Sequence, residues 1–155
     1  MGTGFDRPIK NAQEWVEKSE GLRNGGLATK EIVYSELTTG AIATVVIFTV
    51  TGDVRVKVFA VCSESLVVAA SGTIEVGVVG ATAALLAQLI ASGLTVGLVW
   101  TDASPDEIQA EPGKFIIAGG ADIKQKITTG AVTDGTLKYY CEWEALSDGA
   151  NVVAA

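Results

Sequence analysis

The sequence predicts an all-β fold: an antiparallel β-sandwich or jelly-roll-like body, preceded by a short N-terminal arm that is helical or extended. Runs rich in β-branched residues recur with turn residues roughly every 8–15 positions, which gives about eight strands. No helical patterns alternate with these runs, as a Rossmann-type sheet would require. We therefore expect an arm at residues 1–29 and a β-sandwich domain at residues 30–155.

The arm differs from the rest of the chain. Asp6 is a candidate helix cap and Gly21 a candidate stop signal, and Asn24-Gly25-Gly26 is expected to interrupt regular structure before the body begins. Such a helix would either pack on its own domain or reach a neighbouring subunit. Its apolar face would carry Ile9, Ala12, Trp15 and Val16.

The first strands are predicted around Ile32 and Tyr34 and then at residues 42–51. Gly52-Asp53 follows as a turn, and residues 54–62 alternate in period two. Two apolar runs on either side of a two-residue turn are typical of a hairpin, so we expect these two strands to pair.

The middle of the chain is less regular. A strand is predicted at residues 74–78, and residues 83–91 suit a helix or a strand about equally because Ala, Leu and Gln favour helix. A further strand is expected at residues 96–100. The polar stretch from Asp102 to Gly113 is predicted to be the longest loop.

The last third alternates clearly. Strands are predicted at residues 115–118 and 123–127, and Asp134-Gly135 is expected to form a turn. In the final strand, residues 137–145, the odd-numbered residues face one way and the even-numbered residues the other. This run is long for a strand and suits a central position in a sheet.

The composition indicates a protein that is covered by partners. Hydrophobic residues make up 48% of the chain and charged residues only 19%, against about 25% in an average soluble domain. The net charge of −7 argues against nucleic-acid binding, which requires clustered cations. The uncharged residues 76–101 are long enough to span a membrane, but their glycines and strand-like period argue against a transmembrane helix.

The residues available for catalysis are few. The chain has no histidine, which removes the commonest general base and metal ligand. The pair Glu142 and Glu144 is interpreted as a solvent face or as a contact for a partner's cations. The acids at positions 102–111 are interpreted as a solvated loop, with calcium binding as the alternative. We expect no enzyme activity, no catalytic residues, no cofactor and no metal site.

The cysteines and tryptophans suggest packing. Cys62 and Cys141 are expected to be buried thiols in a reducing cytoplasm, although a disulfide between them stays open. Trp100 and Trp143 lie on apolar strand faces, where they serve as core residues or interface anchors. Together with the arm, the candidate interface residues are Ile9, Trp15, Val16, Trp100 and Trp143.

Several segments of residues 52–155 resemble a family of small structural proteins of tailed bacteriophages. The resemblance lies in residues 53–62, 73–78, 80–88 and 100–106, and in the ending Tyr139-Tyr140-Cys141-Glu142-Trp143. It implies a virion component. The resemblance favours a head decoration or cement protein, which would be a β-sandwich that forms a homo-oligomer, often a trimer, and bridges major capsid protein subunits.

Other functions stay open at this point. A tail or fibre protein would share the same physical properties. A carbohydrate-binding β-sandwich module, using the acidic loop and Trp100, is the alternative from a different class. The main hypothesis places the protein on the capsid surface of a virion assembled in the host cytoplasm, without nucleic-acid or membrane contact.

Overall fold

The structure, a computed structural model, describes residues 24–155. Two five-stranded antiparallel sheets pack face to face, which confirms the predicted all-β sandwich. The strands are β1 (Gly25–Val33), β2 (Thr44–Thr51), β3 (Val54–Val68), β4 (Thr73–Val78), β5 (Ala81–Ile90), β6 (Val99–Trp100), β7 (Phe115–Ile117), β8 (Ile123–Thr128), β9 (Val132–Ala145) and β10 (Asn151–Ala154), and a 3₁₀ turn covers Ala91–Gly93.

The first sheet has the order β1-β9-β3-β6, with β7 also paired to β3, and the second has the order β10-β2-β8-β4-β5. The predicted hairpin around Gly52-Asp53 is therefore wrong, because β2 and β3 lie in different sheets. The turn itself is present, and Gly52 adopts a φ of +69°. Gly52-Asp53 forms a corner at which the chain passes from one sheet to the other. A two-residue connection can form such a corner as readily as it can form a hairpin.

Strand β1 begins earlier than the predicted body. Gly25 and Gly26 do not interrupt the structure but pair with Glu144 and Trp143 of β9. A side chain at Gly25 would collide with the carbonyl oxygen of Trp143, so glycine here permits close backbone approach. The predicted arm helix lies outside the described residues.

The long pair β3–β9 forms the centre of the first sheet, in unbroken register from Val54–Ala145 to Cys62–Leu137. Beyond that point the register shifts, and Asp134-Gly135 lies inside β9 instead of forming a turn. Gly135 has a φ of +107°, so it accommodates a distortion of the strand where the sequence suggested a chain reversal.

Residues 81–90 form strand β5, which resolves the ambiguity between helix and strand at positions 83–91. Pairing with β4 outweighs the helix propensity of the Ala- and Leu-rich segment. In residues 24–155, no helix has the length and hydrophobicity needed to cross a membrane.

The core between the sheets contains one buried polar network. Gln125 of β8, in the second sheet, accepts hydrogen bonds on Oε1 from the hydroxyls of Tyr34 (2.5 Å) and Tyr139 (2.7 Å). All three side chains are buried. Burial raises the pKa of both tyrosines, so the hydroxyls stay protonated and donate.

Candidate interaction surfaces

The structure places the predicted interface tryptophans differently. Trp100 is completely buried, with its ring centroid 6.4 Å from that of Tyr139. It is therefore a core residue in this chain, the first of the two roles predicted for it, and it offers no exposed surface to a partner. Trp143 is half-buried on β9 and packs against the core. Ile9, Trp15 and Val16 lie outside the described residues.

Trp143 lines a shallow concavity of about 230 Å³ on the first sheet, together with residues of β3 and the loop before β7. Two of the lining residues, Arg55 and Glu144, form an ion pair with a nitrogen–oxygen distance of 3.0 Å. Trp143 thus keeps enough exposed surface to contact a partner, but it does so beside a charged pair. It remains a candidate contact residue.

The acidic pair at 142 and 144 is engaged with cations. Glu142 lies 3.6 Å from the Nζ of Lys57, and Glu144 pairs with Arg55 across the β3–β9 register. Lys57 also contacts Glu111 at 3.0 Å, and this hydrogen bond is the main cause of a raised pKa for Lys57. Both glutamates serve as partners in cross-strand pairs, which is a structural role.

The loop between β6 and β7 is fixed by its own hydrogen bonds. Val99 donates from its backbone to the carbonyl of Asp106 (2.8 Å), and Gln109 donates from its side chain to the carbonyl of Ser104 (2.8 Å). Glu111 anchors the far end of the loop on Lys57. Across residues 24–155, no group of three or more acidic or cysteine side chains is arranged to hold a metal ion.

The second sheet carries a concavity that the sequence did not reveal. It has a volume of about 240 Å³ and lies beside the β4–β5 turn. Lys124 and Lys126 alternate outward from β8, and Lys126 pairs with Glu75 at 3.4 Å. We call this site the lysine cradle; it is lined by Thr44, Gly77, Val78, Val79, Gly80, Thr82, Lys124 and Lys126. The alternation of the lysines was visible in the sequence, but the approach of β2 and the β4–β5 turn was not.

The cysteines do not form a disulfide. Cys141 lies opposite Val58 in the β3–β9 register, four residues along the strand from Cys62, and both thiols are free and buried. Burial raises the pKa of Cys62, and it raises that of Cys141 to about 12. Such thiols pack as small apolar groups and are poor nucleophiles.

Comparison with known proteins gives similarity in structure only. No family profile matches the sequence, and no curated protein sequence matches it. The fold resembles a chain in the acidic stable capsid structure of Helicobacter pylori bacteriophage KHP30, with a TM-score of 0.53, 11% identity, and coverage of 83% of this chain and 92% of that chain. A chain of the cyanophage Pam1 capsid asymmetric unit is similar at a TM-score of 0.44 and 12% identity, over 79% and 85% of the two chains.

The match to the bacteriophage KHP30 chain shows a shared fold. The sequence comparisons identified no family. The aligned regions make up most of both chains.

Proposed function

We propose that this chain is a non-enzymatic structural protein of a tailed-phage particle, and that it decorates and cements the capsid by bridging neighbouring major capsid subunits. The observation that carries the proposal is the fold shared with a chain of a phage capsid over most of both chains. The match covers 83% of this chain and 92% of that chain, so the resemblance is not confined to one segment of either.

The surface supports an assembly role. Large apolar side chains project from connections and edges, among them Leu37 and Ile108, both 89% exposed. Only 19% of the residues are charged, and several of those are engaged in pairs on the first sheet. Exposed apolar groups on a rigid body gain free energy when a partner covers them.

The burial of Trp100 bears on the alternatives. A carbohydrate-binding module would need an exposed aromatic platform, and Trp100, the residue suggested for it, is completely buried. A tail or fibre location would use the same apolar surface as a capsid location. We therefore keep the tail as the alternative outcome of the experiment below.

The test uses particles of the phage that encodes the chain, prepared without this protein. We expect added protein to sediment with the particles to a saturating level and to raise the temperature at which the heads open. Cryo-electron microscopy of the decorated particles should show its density across contacts between major capsid subunits. Density confined to the tail, or no binding, would refute the capsid role.

The N-terminal arm is proposed to contact a neighbouring subunit through Trp15 and Val16. Deleting residues 1–23 should leave the β-sandwich folded, because β1 begins at Gly25, and should weaken binding to particles. A deletion of residues 1–29 would be less clean because it also removes Ala28, which is buried.

A full-length Trp15→Ala variant tests the same contact without removing the arm. Burying a large aromatic side chain is worth about 1.5–3 kcal/mol, so we expect this variant to bind roughly tenfold or more weakly. Circular dichroism and thermal unfolding would show that the body is intact in both proteins. Unchanged occupancy of the particles in both would remove the arm from the proposal.

A further inference from the structure

The tip of the β6–β7 loop presents one apolar side chain between acids. Ile108 is 89% exposed, and Asp106 and Glu107 precede it directly and are exposed as well. The loop is held by the backbone bond from Val99 to Asp106 and by the contact of Glu111 with Lys57. Since the loop is already ordered, little conformational entropy is lost when the tip binds a partner.

The lysine cradle has the complementary character. Its wall at the β4–β5 turn is apolar, with Val79 74% exposed, and Gly80 has no heavy atom within 4 Å of the position where a Cβ would lie. Lys126 is paired with Glu75, whereas Lys124 has no ion pair within the part of the chain that the structure describes. The cradle is thus a small depression with an apolar wall and a cationic rim.

The two surfaces lie on the outer faces of different sheets. The loop connects β6 and β7, which both pair with β3, and its Glu111 contacts Lys57 on the side of β3 that faces away from the core. The cradle lies on the second sheet, where Lys124 and Lys126 face away from the core. The loop of one molecule therefore meets the cradle of another copy more readily than its own. In a chain of net charge −7, a rim of two lysines is a favourable place for an acidic segment of a second copy to approach.

We propose that the loop tip of one copy, with Ile108 at its centre, docks into the lysine cradle of a second copy. Ile108 contacts Val79, and Asp106 and Glu107 lie against Lys124. The volume of about 240 Å³ is sufficient for one branched aliphatic side chain.

The proposal specifies the symmetry of the oligomer. Two different surfaces of the same chain meet, so the contact is heterologous, and it builds a ring when the rotation between copies closes. This inference rests on the proposed function and deepens it: a decoration protein that forms a homo-oligomer, as the sequence resemblance implies, needs a contact between its own copies, and the inference names the two surfaces. It concerns copies of the free protein, so its failure in dilute buffer is separate from a failure to bind particles.

The first experiment measures self-association of the full chain by sedimentation velocity and native mass spectrometry. Ile108→Asp should weaken association about tenfold or more, since it places a charge in the apolar centre of the contact. Leu37→Asp is the matched control, because Leu37 is equally exposed on a different connection. Association of the wild-type protein should also weaken with added salt.

Charge exchange tests the ionic part of the contact. Lys124→Glu and Glu107→Lys should each weaken association, and an equimolar mixture of the two variants should recover it, because a reversed pair forms between different molecules. Lys114→Glu makes the same change of charge at the far end of the β6–β7 loop, beside Trp143 and outside the proposed contact, and should have no effect.

Cysteine cross-linking gives an independent readout that a folding defect cannot imitate. A mixture of Ile108→Cys and Val79→Cys proteins should form a disulfide-linked pair under mild oxidation, whereas either variant alone should not. The native cysteines are buried and should not interfere. A wild-type protein that stays monomeric at its highest soluble concentration, or cross-linking of either variant with itself in place of the mixed pair, would overturn the proposal.

Discussion

The buried network of Gln125, Tyr34 and Tyr139 makes a strong prediction about what fixes the two sheets together. Gln125 Oε1 accepts two hydrogen bonds across the core, and the two hydroxyl oxygens lie 3.3 Å apart. Replacing Gln125 with Leu keeps nearly the same volume but removes the shared acceptor. One hydroxyl can then donate to the other, which leaves one buried O–H without an acceptor.

The expected losses of unfolding free energy follow from the number of hydrogen bonds that each variant loses. Tyr34→Phe or Tyr139→Phe alone should cost about 1 kcal/mol of unfolding free energy, because each removes one hydrogen bond and leaves the Gln125 acceptor engaged by the other tyrosine. Gln125→Leu should cost about 2–3 kcal/mol, since it loses both bonds and leaves a buried donor unsatisfied. The three changes together should be less destabilising than Gln125→Leu alone.

Urea unfolding followed by circular dichroism and tryptophan fluorescence would measure these differences. The decisive feature is that the two Tyr→Phe changes lower the unfolding free energy in the wild type but raise it in the Gln125→Leu variant. If the substitutions only removed packing contacts, their losses would add from one substitution to the next. If Gln125→Leu is as stable as the wild type, or if the triple variant is the least stable, the network does not hold the sheets together in the way described.

Other predictions concern titration and backbone geometry. Cys141, with a pKa raised to about 12 from 9.0, should react with a thiol reagent only after unfolding. Because the folded pKa values of Cys141, Tyr34 and Tyr139 are raised, the stability from keeping them neutral is complete below about pH 9. It should fall as the pH rises from 9 towards 12, with loss of the β-sheet circular dichroism signal. Gly135→Ala should destabilise the protein by about 2 kcal/mol or more, because Gly135 has a φ of +107° and a Cβ would lie 2.6 Å from the Ser65 carbonyl oxygen. Gly113→Ala, at an open position, should be nearly neutral in chemical denaturation.

The sequence was informative about strands and misleading about their partners. Period-two patterns identified residues 54–62 and 137–145 as strands, and alternation also showed which side chains of β9 lie inside. Which strands pair was not visible, because the same short turn at Gly52-Asp53 serves a hairpin or a corner between sheets. The choice depends on tertiary contacts with β9 and β8, far away in the sequence.

Glycines caused two of the errors for a related reason. Gly25 and Gly135 were interpreted as breaks because glycine usually marks turns. Both instead allow a strand to continue where another backbone or side chain approaches too closely for a Cβ. A single sequence gives the conformational freedom of a glycine but not the neighbour that requires it.

The sequence also did not show which apolar side chains are exposed. Several large apolar side chains are exposed, which fits the low charge of the chain, whereas Trp100, predicted as a core residue or an interface anchor, is buried. The most exposed large apolar residues are smaller, and they lie in connections or short edge strands: Leu37, Ile108, Val79 and Ile116. A molecule of this kind would bind by inserting single side chains from fixed loops into shallow depressions, because its broad sheet faces carry charged pairs. A single side chain held in a depression fixes how two partners are oriented, and symmetric assembly of identical copies requires such a fixed orientation at every contact.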